Sequence, residues 1–142
     1  MNPKLILVVT LILLTSCATP YQNKGFRGGV ESLRVAEKVW EIDASGNAYT
    51  SESKIRDFVL LKAAEIGMDN GFEHFNIFYN EKGTDTDLFS TTNYYSGITT
   101  IGSYDKPKQS ISVKFYEQGE QVPDTAYSVE MIYNQLSGKY ID

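Results

Sequence analysis

The chain has 142 residues, the size of one domain, and its 42% hydrophobic and 22% charged content is that of a folded protein rather than a disordered one. Eighteen acidic against 13 basic side chains give a net charge of −5, which argues against nucleic acid or anionic headgroups as ligands. With a single Cys there is no internal disulfide, so stability must come from packing.

Residues 1–16, MNPKLILVVTLILLTS, open with Lys4 and continue as the uncharged run Leu5 to Leu14. A spanning helix needs about 20 apolar residues, so the run fits the h-region of a signal peptide instead. Leu14-Thr15-Ser16-Cys17 resembles the bacterial lipobox, and it places the only Cys at the end of that run. The resemblance implies cleavage before Cys17, a diacylglycerol on its sulfur and a fatty acid such as palmitate on its amino group. Each buried methylene contributes about 0.8 kcal/mol, so two or three chains hold durably where one holds marginally. Ala18, not Asp, follows Cys17. In Gram-negative lipoproteins that pattern implies sorting to the outer membrane, with the domain facing the periplasm. Loss of residues 1–16 removes Lys4 alone among the charged side chains, leaving 12 basic against 18 acidic.

Residues 17–30 are rich in Gly, Pro and polar side chains and read as a lipidated N-terminus followed by a flexible tether, with the domain occupying 31–142. From Leu33 to Ala44 the pattern predicts a strand, Trp40, Ile42 and Ala44 alternating with Glu41 and Asp43. Ser45-Gly46-Asn47 supplies a turn. A helix follows, capped by Thr50 or Ser51, with Ile55, Val59, Ala63 and Ile66 at helical spacing, Phe58, Leu61 and Met68 beside them, and Gly71 as its stop. Phe72 to Tyr79 reads as a strand with Phe75, Ile77 and Tyr79 on one face. Strand, helix and strand in this order suggest a β-α-β unit. Asn80 to Asp87 reads as a polar loop or hairpin end, and the Thr, Tyr and Ile of 88–104 suggest strands of blurred register. Ser110 to Tyr116 is a firmer strand. Pro123-Asp124 opens a last helix, with Val129, Ile132, Tyr133 and Leu136 on one face and Gly138 at its end. The fold class is therefore α+β: a small single domain, a β-α-β unit extended by antiparallel strands and a C-terminal helix, the sheet covered on one face by helices.

Little in the chain points to catalysis. His74 is the only histidine, and a triad or zinc site would need partners the sequence does not supply. Glu81, Asp85 and Asp87 lack the Gly and distant Glu of a calcium loop, so they read as solvated charges. No catalytic residue, metal ligand or cofactor is assigned, and an enzyme is not expected. The chain does hold ten Tyr and seven Phe. Tyr94, Tyr95 and Tyr104 sit in a polar, Thr-rich setting, where exposed rings give contact area at low entropy cost. They are the candidate interaction surface, placed on a sheet face.

Gly46-Asn47-x-x-Thr50, then Leu60-Leu61-Lys62-Ala63-Ala64-Glu65, then Gly71-Phe72-x-x-Phe75 resemble a family of short proteobacterial lipoproteins of Caulobacter-type naming, whose members have no established role. Trp40 and Ile42 also match its pattern. The chain departs at Ala44, where the family has Phe, and at Lys62, where it has Arg. The resemblance covers about residues 25–80 and implies location and fold, not a reaction. The expectation is a non-enzymatic lipoprotein with a structural or interaction role, held to the outer membrane through Cys17. The alternative is a periplasmic module binding peptidoglycan or a protein partner through its tyrosines.

Overall fold

The computed structural model describes residues 18–141. Five strands, β1 (Gly29–Ala36), β2 (Val39–Ser45), β3 (His74–Thr92), β4 (Thr99–Tyr116) and β5 (Tyr127–Ser128), form one antiparallel sheet of order β1-β2-β4-β3-β5. Among the described residues, two helices, α1 (Glu52–Asn70) and α2 (Val129–Tyr140), complete an α+β domain. Both β2 and β3 pair antiparallel with β4, so they run in the same direction. The β-α-β unit is present, with β4 inserted between its two strands.

Helix α1 forms where its periodicity places it. The Ser51 side chain accepts from the Lys54 amide at 3.2 Å, and Gly71 closes the helix at φ 74°, where a Cβ would be strained. Ile55, Phe58, Val59, Leu61, Ala63 and Ala64 are buried in the core, whereas Met68 is half exposed. The sheet answers with Trp40, Ile42, Phe75, Ile111, Val113 and Phe115. Trp40 and Phe115 meet edge to face at 5.0 Å, the favoured geometry for two ring quadrupoles.

Several expectations need correction, four of them in the body of the domain. The Leu33–Ala44 segment is not one strand: β1 ends at Ala36 and β2 starts at Val39, the two pairing as a hairpin. Tyr79 does not share a face with Phe75 and Ile77, because a bulge at Phe78 sets Tyr79 opposite Ser112 and reverses the alternation. The last helix starts at Val129, not at Pro123-Asp124, because Tyr127 and Ser128 first pair with Phe75 and His74. Ser128 then accepts from the Met131 amide at 3.3 Å, and α2 runs through Gly138 to Tyr140.

The fourth concerns residues 17–30. Cys17 lies outside the described residues, but the chain is already packed at Thr19, which is fully buried. Its amide donates to Thr50 Oγ1 at 3.0 Å, and its own hydroxyl accepts from the Asn47 amide at 2.9 Å. Tyr21 packs edge-on against Phe58 and donates to Glu65 Oε2 at 2.5 Å. Asn23 and Val30 bridge in parallel. Segment 19–30 is part of the domain rather than a tether.

Candidate interaction surface

Asn80 to Asp87 is strand, not loop. Strands β3 and β4 continue pairing after β2 has ended at Ser45 opposite Lys108. Nine further pairs, from Thr84↔Pro107 to Thr92↔Thr99, make a two-stranded arm with no third strand beside it among the described residues. At about 3.4 Å per residue it is ~30 Å long. Such a ribbon is marginal in water unless its side chains support each other across the strands.

At the root of the arm that support is ionic. Lys108 Nζ lies 2.5 Å from Asp85, Lys106 pairs with Asp87, and Thr86 donates to Asp105 at 2.7 Å. The Lys106 ammonium beside Asp87, acting first through its hydrogen bond, holds that carboxyl below the usual range. Two of the three acidic residues of the rejected calcium-loop reading, Asp85 and Asp87, are therefore paired with lysines. The third, Glu81, accepts the Tyr79 hydroxyl at 2.7 Å.

Beyond Asp87 the chemistry changes. Leu88 to Ser103 contains no charged residue. Phe89 lies across Gly102, where an added Cβ would come within 2.4 Å of the ring, and its centroid is 6.2 Å from that of Tyr104. Leu88, Ile98 and Ile101 are largely exposed. At the tip, Tyr94 and Tyr95 are 95% and 98% exposed and meet edge to face at 6.0 Å. Asn93 builds the turn, its Oδ1 accepting from the amides of Tyr95 and Ser96.

The structure thus gathers all three sequence-predicted tyrosines onto one element, though on an arm rather than a sheet face. Tyr94 and Tyr95 occupy the tip, and Tyr104 lies opposite Asp87 near the root. The apolar partners Leu88, Phe89, Ile98 and Ile101 were missed because Ser and Gly interrupt their alternation. The one available signal was the uncharged run itself.

The arm springs from the end of the sheet where the N-terminal segment docks. The Gly46 amide donates to the Pro107 carbonyl at 2.9 Å, and the next residue, Asn47, binds Thr19. The chain therefore enters the domain beside the root of the arm.

His74 lies at the opposite end. It borders an open cleft of about 440 Å³ with Glu73, Ser128 and Glu130, its Nδ1 3.8 Å from Glu73 Oε2. Ser128 pairs with His74 across the strands, but its hydroxyl is engaged in capping α2. Base and hydroxyl are neighbours without the mutual hydrogen bond a nucleophile–base pair uses. A shallow depression on the open sheet face gathers Glu41, Asp43, Tyr79, Ser110 and Ser112, in which Ser110 donates to Asp43. Among the described residues, no helix is long and apolar enough to cross a membrane. The chain matches no protein-family model, no curated protein and no solved structure.

Proposed function

We propose that the protein is a non-enzymatic lipoprotein of the Gram-negative outer membrane, anchored through Cys17 and facing the periplasm, whose working surface is the β3–β4 arm. The uncharged, Tyr- and Ile-bearing distal arm is the observation that carries the interaction role. A ribbon that buries almost nothing against its own domain has little reason in folding energetics to keep large apolar side chains in water. The lipobox-like Leu14–Cys17 stretch supports the anchor.

A second reading, capture of peptidoglycan or a protein partner, is favoured by the two open ring faces of Tyr94 and Tyr95. Metabolic labelling with palmitate tests the anchor. The wild-type chain should take up label and Cys17→Ser should not; an unlabelled wild-type chain that keeps Met1 overturns the reading. Photocrosslinkers at positions 94 and 95 test the surface, and they should capture a neighbour that the same group at Gln118, at the far end of the sheet, does not.

A further inference from the structure

We infer that the distal arm rests against the lipid surface itself, a second membrane contact beside the lipid anchor; this rests on the anchor reading above. The first argument is position. Thr19 is fixed to Asn47 and Thr50 at the root of the arm. Cys17 is two Cα–Cα steps away, at most ~7.6 Å. Acyl chains on its sulfur therefore bring the bilayer to the end of the domain from which the arm projects. The other end, with His74 and the β4–β5 connection, faces away.

The second argument is charge. The domain is acidic, and anionic headgroups would repel its carboxylates. The arm confines its charges to the root, at Asp85, Asp87, Asp105, Lys106 and Lys108, and carries none between Leu88 and Ser103. That division follows distance from the root, as a surface approached tip first requires.

The third argument is side-chain type and backbone. Tyr favours the boundary where its ring is dry and its hydroxyl wet. Leu88, Ile98 and Ile101 add apolar area. Among the described residues, both edges of the arm leave backbone N–H and C=O groups unpaired, and hydrocarbon offers them no partner. The contact is consequently at headgroup depth, not across the bilayer.

The test uses the full-length protein, extracted from membranes and reconstituted into vesicles of phosphatidylethanolamine and phosphatidylglycerol containing brominated lipid. Tyr95→Trp reports the arm and Gln118→Trp the far end, each read as a difference from the parent protein, whose Trp40 is buried. Tyr95→Trp should emit at shorter wavelength and lose emission to brominated lipid, whereas Gln118→Trp should respond only to an aqueous quencher. A Tyr95→Trp signal as open to the aqueous quencher as Gln118→Trp overturns the inference. A blue-shifted signal untouched by brominated lipid does so too, and assigns the arm to a second copy of the chain. Mass analysis of the N-terminal peptide reports the anchor separately. An unmodified Cys17 with a lipid-quenched Tyr95→Trp would defeat the anchor reading and leave the arm as the membrane contact.

Discussion

Thr19, Asn47 and Thr50 show how a short polar motif performs architectural work. The Thr50 hydroxyl donates to Asn47 Oδ1 at 2.9 Å and accepts from the amides of Thr19 and Asn47, so buried polar atoms at the end of the sheet are satisfied by each other. Asn47 and Thr50 stand out in the sequence, but their partner Thr19 lies 31 residues from Thr50. No local pattern predicts that pairing, which is why the segment reads as a tether. Tyr21 docks the same segment from a second point. Its burial, with the Glu65 carboxylate beside the hydroxyl, raises its pKa above the ordinary value. An unfolded Tyr ionises near about pH 10. The folded protein binds that proton more tightly, so stability is complete below this pH and falls as pH rises above it. Tyr21→Phe should cost about 1 kcal/mol at neutral pH, the net worth of one hydrogen bond. It should also lose stability less steeply than wild type above about pH 10, as read by urea unfolding across the alkaline range.

At the scale of elements, α1 was legible because every signal is local: a Ser cap, apolar spacing and a Gly stop. What it packs against was less so. Gly67 sits within the helix, where Gly to Ala commonly stabilises by up to ~1 kcal/mol. Here an added Cβ would come within 2.5 Å of Val129 Cγ2 and 3.3 Å of the Phe115 ring, both in the core. Gly67→Ala should therefore destabilise, by about 1–3 kcal/mol, through parting α1 from α2. Thermal unfolding of the variant checks the sign. Helix α2 is also tied to α1 by Asp57, which accepts from Lys139 Nζ and Tyr140 Oη at 2.8 Å each. Burial alone would raise this carboxyl, but those hydrogen bonds and the charges of Lys139 and Arg56 outweigh it and hold it below its ordinary value. That contribution is present above the unfolded carboxyl's range and lost as pH falls through the lower, folded one. Strand β3 was the least legible element. Asn80–Asp87 has the composition of a loop, and its extended state depends on β4, whose Lys106 and Lys108 answer Asp87 and Asp85. Because the arm buries so little against the domain, replacing Leu88–Ser103 by an Asn-Gly turn should shift the thermal midpoint by less than about 3 °C while removing the proposed contact surface.

For the whole molecule, the docked N-terminus decides how the arm meets its surroundings. A flexible tether of thirteen residues would let the domain tumble and would give its surface no fixed orientation. With Thr19 buried, the body is held within two residues of Cys17, and the arm root lies beside that point. With Cys17 lipidated as proposed, anchor and arm would act as two linked contacts, the second favoured because the first keeps it close. Ten Gly and Ser residues inserted between Ala18 and Thr19 would separate them. Such a linker has a root-mean-square span of ~16–19 Å and frees the domain to rotate. Folding should be unaffected, since Thr19 keeps its partners and the insertion lies outside the packed region. The Tyr95→Trp emission in vesicles should shift toward that of a water-exposed indole, and quenching by brominated lipid should weaken. A linker variant with unchanged quenching would mean that the arm binds strongly without help from the nearby anchor. Short spacing between Cys17 and the fold would then be no part of how the molecule works.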